Sequence, residues 1–187
     1  MKMFKKLMAV ALAGVMALVV LTGCAASVNK KELVALLSDF DSIGGYNKVE
    51  YKETSKDQAN KVIDLVQKAY NNTKDEEKAN FDPMDALRDK EIENNWDNRY
   101  KLYPEVKKAL GIDDKTEDEY SFAIVELKKY SSQYNQDHAT TVLATDVLNA
   151  RKTLNHVNAE GNNGTVSINT VTLGSTEYLV VVFKVVA

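Results

Sequence analysis

The fold turns on the C-terminal run TVSINTVTL (Thr165–Leu173), Gly174-Ser175, TEYLVVVFKVV (Thr176–Val186). Both flanks are rich in β-branched and aromatic residues, which suit a pleated surface. A glycine placed first in a two-residue loop marks a type II′ hairpin, because that position needs positive φ. Such a loop fixes the register: Val171 opposite Tyr178, Ile168 opposite Val181 and Val166 opposite Phe183. Leu179-Val180-Val181-Val182-Phe183 is apolar at every position. A strand apolar on both faces is normally central in its sheet. Its second edge therefore needs a partner, and SFAIVELKK at 121–129 is the best one. That segment reads as strand or helix, with Phe122, Ile124 and Val125 favouring strand.

Between these strands, Asp137 caps a long predicted helix reaching about Asn158, with Leu143, Val147, Ala150, Leu154 and Val157 on one face. Arg151, Lys152 and His156 stand toward its C-terminus, where positive charge suits the helix dipole. The second half thus reads as a β-α-β-β unit with an antiparallel sheet of about three strands, and the helix covers one face.

The first half reads helical. Asn29 with Glu32 forms a capping box, and Leu33, Leu36, Leu37 and Phe40 follow at helical spacing. Gly44-Gly45 breaks the chain. In Tyr46–Glu53, Val49 and Tyr51 alternate with polar residues, which admits a short edge strand. Ser55 with Gln58 suggests a second cap, ahead of the stripe Ala59, Val62, Ile63, Val66, Ala69 and Tyr70, which Asn71-Asn72-Thr73 ends. Asp82-Pro83 starts a third helix, since proline suits the first helical position. It is expected to run to about residue 103 and to present Met84, Leu87, Ile92, Trp96 and Tyr100, with imperfect period. Tyr103-Pro104 opens a short helix with Val106 and Leu110, closed by Gly111. The fold class is α+β: a helical N-terminal part (29–112) packed on a C-terminal β-α-β-β lobe (116–187), in one domain spanning 29–187.

The first 23 residues are of another kind. Lys2, Lys5 and Lys6 precede an unbroken apolar and small-residue run from Leu7 to Leu21, then Leu21-Thr22-Gly23-Cys24. A positive start before such a run is an export signal, and the run is short for a spanning helix, which needs about 20 residues. Leu21-Thr22-Gly23-Cys24 resembles the lipobox of bacterial lipoproteins. The resemblance covers the signal and Cys24 alone. It implies removal of 1–23, a diacylglyceryl group on the Cys24 sulfur, and placement on the extracytoplasmic face of a membrane. Cys24 is the sole cysteine of the chain, so no disulfide forms within it. With residues 24–28 as the tether, the domain stays within about 20 Å of the bilayer at roughly 3.5 Å per residue.

Residues 24–187 carry 21 Lys+Arg against 27 Asp+Glu, a net charge of −6. Such a surface argues against nucleic acid, whose phosphates want a basic face. It also leaves membrane attachment to the lipid rather than to anionic headgroups.

Chemistry-bearing motifs are few. His138 and His156 stand 18 residues apart, about 27 Å along one continuous helix, too far to share a metal. Asp113–Glu119 is acidic, but counted from Asp114 a calcium loop would need Gly where Glu119 stands and Glu where Val125 stands. That leaves an improvised calcium site or a solvated connector. There is no Gly-x-Ser-x-Gly elbow or Gly-rich phosphate loop. No metal, cofactor or catalytic residue is assigned. The cluster that stands out is Asn94–Tyr100 with Tyr103. On a continuous helix Trp96, Tyr100 and Tyr103 share a face beside Arg99, and aromatic faces beside amide and guanidinium donors hold a sugar or peptide. The alternative is that the aromatics complete the core. The functional expectation is a membrane-anchored lipoprotein that binds a ligand or an envelope protein near the bilayer. The rivals are an envelope hydrolase using carboxylates and an accessory subunit of a membrane complex.

Overall fold

A computed structural model describes residues 28–43, 49–92, 95–127, 136–155 and 163–186. In chain order the elements are α1 (Lys30–Ile43), β1 (Glu50–Glu53), α2 (Asp57–Asn72), α3 (Pro83–Ala86), α4 (Pro104–Leu110), β2 (Glu119–Glu126), α5 (Gln136–Ala150), β3 (Lys152–Thr153), β4 (Asn163–Leu173) and β5 (Thr176–Val185). Short 3₁₀ turns occupy Lys78–Asn80 and Trp96–Asn98.

The hairpin forms as its turn dictates. Val171 faces Tyr178, Ile168 faces Val181 and Val166 faces Phe183. Gly174 has φ of 60° and Ser175 does not share the positive φ, the pattern of a type II′ turn. β5 is central, with β2 antiparallel along its other edge.

The fold is α+β, and the sheet is larger than the expected three antiparallel strands. Five strands lie in the order β1-β4-β5-β2-β3. β1 adds in parallel to β4, which makes the sheet mixed. β3 pairs with Ser121 and Phe122.

Helices cover both faces. α1 and α5 lie over Val166, Ile168, Leu179, Val181, Phe183, Ala123 and Val125. α2 and α4 lie over Val171, Leu173, Val180, Val182, Phe122 and Ile124. Residue parity along β5 sends Val181 one way and Val180 the other, as strand geometry requires. The helical stretch 29–112 is thus divided between the two faces, and each core draws on both halves of the chain.

Three helix expectations are corrected. The helix from Asp137 stops at Ala150, not Asn158. Arg151 turns toward Asp41 on α1, and Leu154 crosses to the α2/α4 core beyond β3. His156 and Val157 lie outside the described residues.

The helix from Pro83 ends after one turn, at Ala86. Leu87 and Leu102 are both buried, and Asp89 N–H donates to the Leu102 carbonyl at 2.8 Å, closing a loop between them. Asp89 Oδ1 also accepts from Glu91 N at 2.9 Å, a local bond that competes with helix.

Ser55 does not cap α2. Lys56 holds the cap position, and Ser55 Oγ donates to Asp57 instead. The caps at Asn29 and Asp82 form: Asn29 Oδ1 accepts from Glu32 N at 3.2 Å, and Asp82 accepts from Met84 N and Asp85 N. Gly111, at φ 76°, ends α4.

Candidate functional site

The residues singled out around Trp96 do not share a helical face. Trp96 opens the 3₁₀ turn Trp96–Asn98, and its side chain lies outside what is described. Tyr103 is 5 % exposed and sits in the α2/α4 core, edge-on to Phe122 at 5.0 Å between ring centroids. Burial pushes its phenol above the usual range. Arg99 and Tyr100 turn to one another: the guanidinium lies 4.4 Å from the ring centroid, and Arg99 Nη2 donates to the Tyr100 hydroxyl. The structure therefore brings Arg99 and Tyr100 together and takes Tyr103 into the interior. Cys24 and Asn94 lie outside the described residues.

A groove of about 350 Å³ opens instead where α2 ends. Ala69 comes from α2 and Thr73 from its C-cap, Glu77 and Asn80 from the following turn, Phe81, Asp82, Asp85 and Ala86 from the start of α3, and Lys90 from beyond it. Phe81 supplies an aromatic wall, braced edge-on by Tyr70 at 5.2 Å. Lys78 lies over the other ring of that pair, 5.4 Å from the Tyr70 centroid.

The rim holds three carboxylates and one ammonium. Asp82 is occupied as the helix cap. Asp85 Oδ2 sits 2.9 Å from Lys90 Nζ, with both side chains more than half exposed. Exposed pairs of this kind contribute little, about 0–1 kcal/mol, so both groups can turn to a ligand at small cost. The groove combines an apolar wall with acidic and amide groups, a lining able to hold a small polar molecule. Sequence reading missed it because its residues come from four short segments, and no periodic pattern joins them.

A second cluster escaped the sequence as well. Asp41 at the end of α1 is 6 % exposed. Arg151 grips it with two nitrogens, Nη1 to Oδ2 and Nη2 to Oδ1, each at 2.9 Å. The Tyr51 hydroxyl on β1 donates to Asp41 Oδ2 at 2.6 Å. Phe183 lies beneath, edge-on to Tyr51 at 5.4 Å and 5.4 Å from the guanidinium carbon. Burial first, then the Asp41 carboxylate, push the Tyr51 phenol far above its ordinary range. Gly164 makes room for this ring, since a Cβ there would lie 2.6 Å from it. Both Asp41 oxygens, the Tyr51 hydroxyl and both terminal nitrogens of Arg151 are paired within the trio, so the cluster fastens α1, β1 and the residue after α5 together.

Among the described residues no group of three His, Cys, Asp or Glu is placed to hold a metal, and no helix is long and apolar enough to cross a membrane. Comparison of the chain with protein-family models, with curated proteins and with solved structures found no match.

Proposed function

We propose that this chain is a lipoprotein, exported, cut before Cys24 and held by lipid on the outer face of a membrane, where its domain binds a ligand or an envelope protein close to the bilayer. One observation carries the reading: the sole cysteine stands directly behind a lipobox-like Leu21-Thr22-Gly23, itself behind a basic and then apolar leader. Two or more acyl chains anchor stably where one does not, because each buried CH₂ adds about 0.8 kcal/mol.

For the binding partner, the described surface favours a small ligand over a docked subunit. Val186 is the one large hydrophobic exposed among the described residues, at 42 %, whereas subunit contacts in membrane complexes draw on broad apolar patches. The groove between Thr73 and Lys90 offers the recess.

Export and acylation are tested together. Intact mass of the protein extracted from cells should show residues 24–187 plus diacylglyceryl and acyl mass, and Cys24→Ser should lose that mass and leave the membrane fraction. An unmodified Cys24, or an uncut precursor in living cells, would overturn the proposal.

A further inference from the structure

The outer edge of β4 is covered along only part of its length. A two-residue hairpin closes on a hydrogen-bonded pair, here Leu173 with Thr176, and such pairs alternate along an antiparallel ladder. Leu173, Val171 and Asn169 therefore turn their backbone groups to β5, while Val166, Ile168, Thr170 and Thr172 turn theirs outward. Two bonds follow that parity: the Val166 carbonyl accepts from Thr54 N at 2.8 Å, and the Ile168 carbonyl accepts from Lys30 Nζ at 3.1 Å. β1 pairs with β4 only as far as Val166. Further along, no described residue bonds the outward N–H or C=O of Thr170 or Thr172. Thr172 is exposed and Thr170 half-buried, so two donors and two acceptors stand in one line at the surface.

Folded proteins blunt open edges with charge or proline. β1, the outermost strand, does so, with Glu50, Lys52 and Glu53 all exposed. Asn169–Leu173 carries neither charge nor proline. An edge left open in this way accepts an extended chain as a further strand. Main-chain bonds hold such a strand, so it needs no broad apolar patch.

Charge decides which part of a chain fits. Lys30 Nζ lies in the line of the ladder, where a next strand would place its donor to the Ile168 carbonyl. Its side chain is 29 % exposed, and the Glu53 carboxylate is 3.8 Å away. Burial first, then the Lys56 ammonium, push the Lys30 pKa down, and Glu53 offsets only part of this. A further carboxylate is therefore favoured beside Lys30. Side chains of an added strand point above and below the sheet, whereas its terminal carboxylate lies in the ladder line itself. A chain that runs antiparallel to β4 and ends opposite Ile168 puts that carboxylate at Lys30. The residues two and four before its end then lie opposite Thr170 and Thr172, and each exchanges two bonds.

From this we infer that the open edge of β4 binds the C-terminal end of an extended peptide, about five residues of it, as an added antiparallel strand with its carboxylate at Lys30. The site shares no residue with the groove and does not depend on acylation of Cys24.

The test uses the full chain purified from cells, in detergent micelles. Hydrogen exchange resolved by residue comes first. Without peptide, the amides of Asn169 and Val171 should exchange slowly and those of Thr170 and Thr172 quickly. Slow exchange at all four would mean that the chain itself already covers the edge, and slowing that grows with protein concentration would mean that a second copy does; either overturns the proposal. The probe is a pool of fluorescent heptapeptides with Val or Thr at each of the last five positions and a free C-terminal carboxylate. It should bind saturably by anisotropy and slow exchange at Thr170 and Thr172. The same pool with an amidated C-terminus should bind at least tenfold more weakly, as should the free-carboxylate pool to Lys30→Gln. Thr172→Pro should abolish binding with native circular dichroism retained, since its N–H serves no ladder bond and proline is accepted at such an edge; should that variant fail to fold, the exchange and Lys30→Gln arms decide. No binding at millimolar protein, binding without slowing at Thr170 and Thr172, or equal binding by the amidated pool would each overturn the proposal. So would an amidated pool ending in Glu that matches the free-carboxylate pool, because the charge would then come from a side chain.

Discussion

Asp41, Tyr51 and Arg151 show what a residue-scale contact contributes here. A carboxylate 93 % hidden at its side chain must be matched, and the fork of Arg151 matches it with two parallel bonds. Removing one partner of such a pair leaves an uncompensated buried charge, at a cost of about 3–5 kcal/mol. Asp41→Ala should therefore lower the unfolding free energy by about 3 kcal/mol in urea titration, because Arg151 keeps partial access to water at 20 % exposure and regains some hydration. The double variant Asp41→Leu, Arg151→Met should recover most of that loss, because it strands no charge. A loss in the double variant equal to the sum of the losses in Asp41→Leu and Arg151→Met made singly would show that the pair was not coupled. Sequence alone assigned Arg151 to a helix dipole. Its true partner lies 110 residues away, and no local pattern reports a pairing of that span.

Elements were legible where one local rule governed them. The β4–β5 register followed from Gly174 and from residue parity, and α2, α4 and the caps at Asn29 and Asp82 from local pattern, while 121–129 read as strand or helix, with its β-branched and aromatic residues favouring the strand that forms. Where two rules competed, the local one lost: α5 surrenders its last two expected turns so that Arg151 and Leu154 can serve opposite faces, and the segment after Pro83 gives up helix so that Leu87 and Leu102 can both be buried. β1 was visible as a short edge, but its parallel pairing with a strand more than a hundred residues on was not. The groove, built from turns, had no periodic signal at all. At the hairpin, the element can be tested directly. Gly174 has φ 60°, and an added Cβ would lie 2.7 Å from the Tyr70 hydroxyl. Left-handed backbone costs a residue with Cβ about 1–2 kcal/mol, and the collision adds to it. Gly174→Ala should thus destabilise by more than that figure in the native background, and by about the backbone cost alone when combined with Tyr70→Phe. Equal costs in both backgrounds would mean that Tyr70 yields freely and does not brace the turn.

At the scale of the whole molecule, β5 lends Val180 and Val182 to one core and Val181 and Phe183 to the other, so the two cores share a strand and should fail together. Tyrosines report on both. Tyr51 lies in the α1/α5 core, while Tyr103 and Tyr178 belong to or pack against the α2/α4 core. Burial is the first cause that raises each of the three phenols above the ordinary value. A raised phenol keeps its proton in the folded chain after the unfolded chain has given it up. Below about pH 10, the ordinary tyrosine value, both states hold the proton and the contribution of these groups to stability is complete. As pH rises through and above that value, the unfolded state alone loses protons, and stability falls. The chain has nine tyrosines. Followed by phenolate absorbance at 295 nm, Tyr51, Tyr103 and Tyr178 should ionise in one step that coincides with loss of far-ultraviolet circular dichroism. Tyr51→Phe should remove one phenol from that step. Ionisation of all nine before any loss of circular dichroism would mean that the two cores do not hold these hydroxyls protonated.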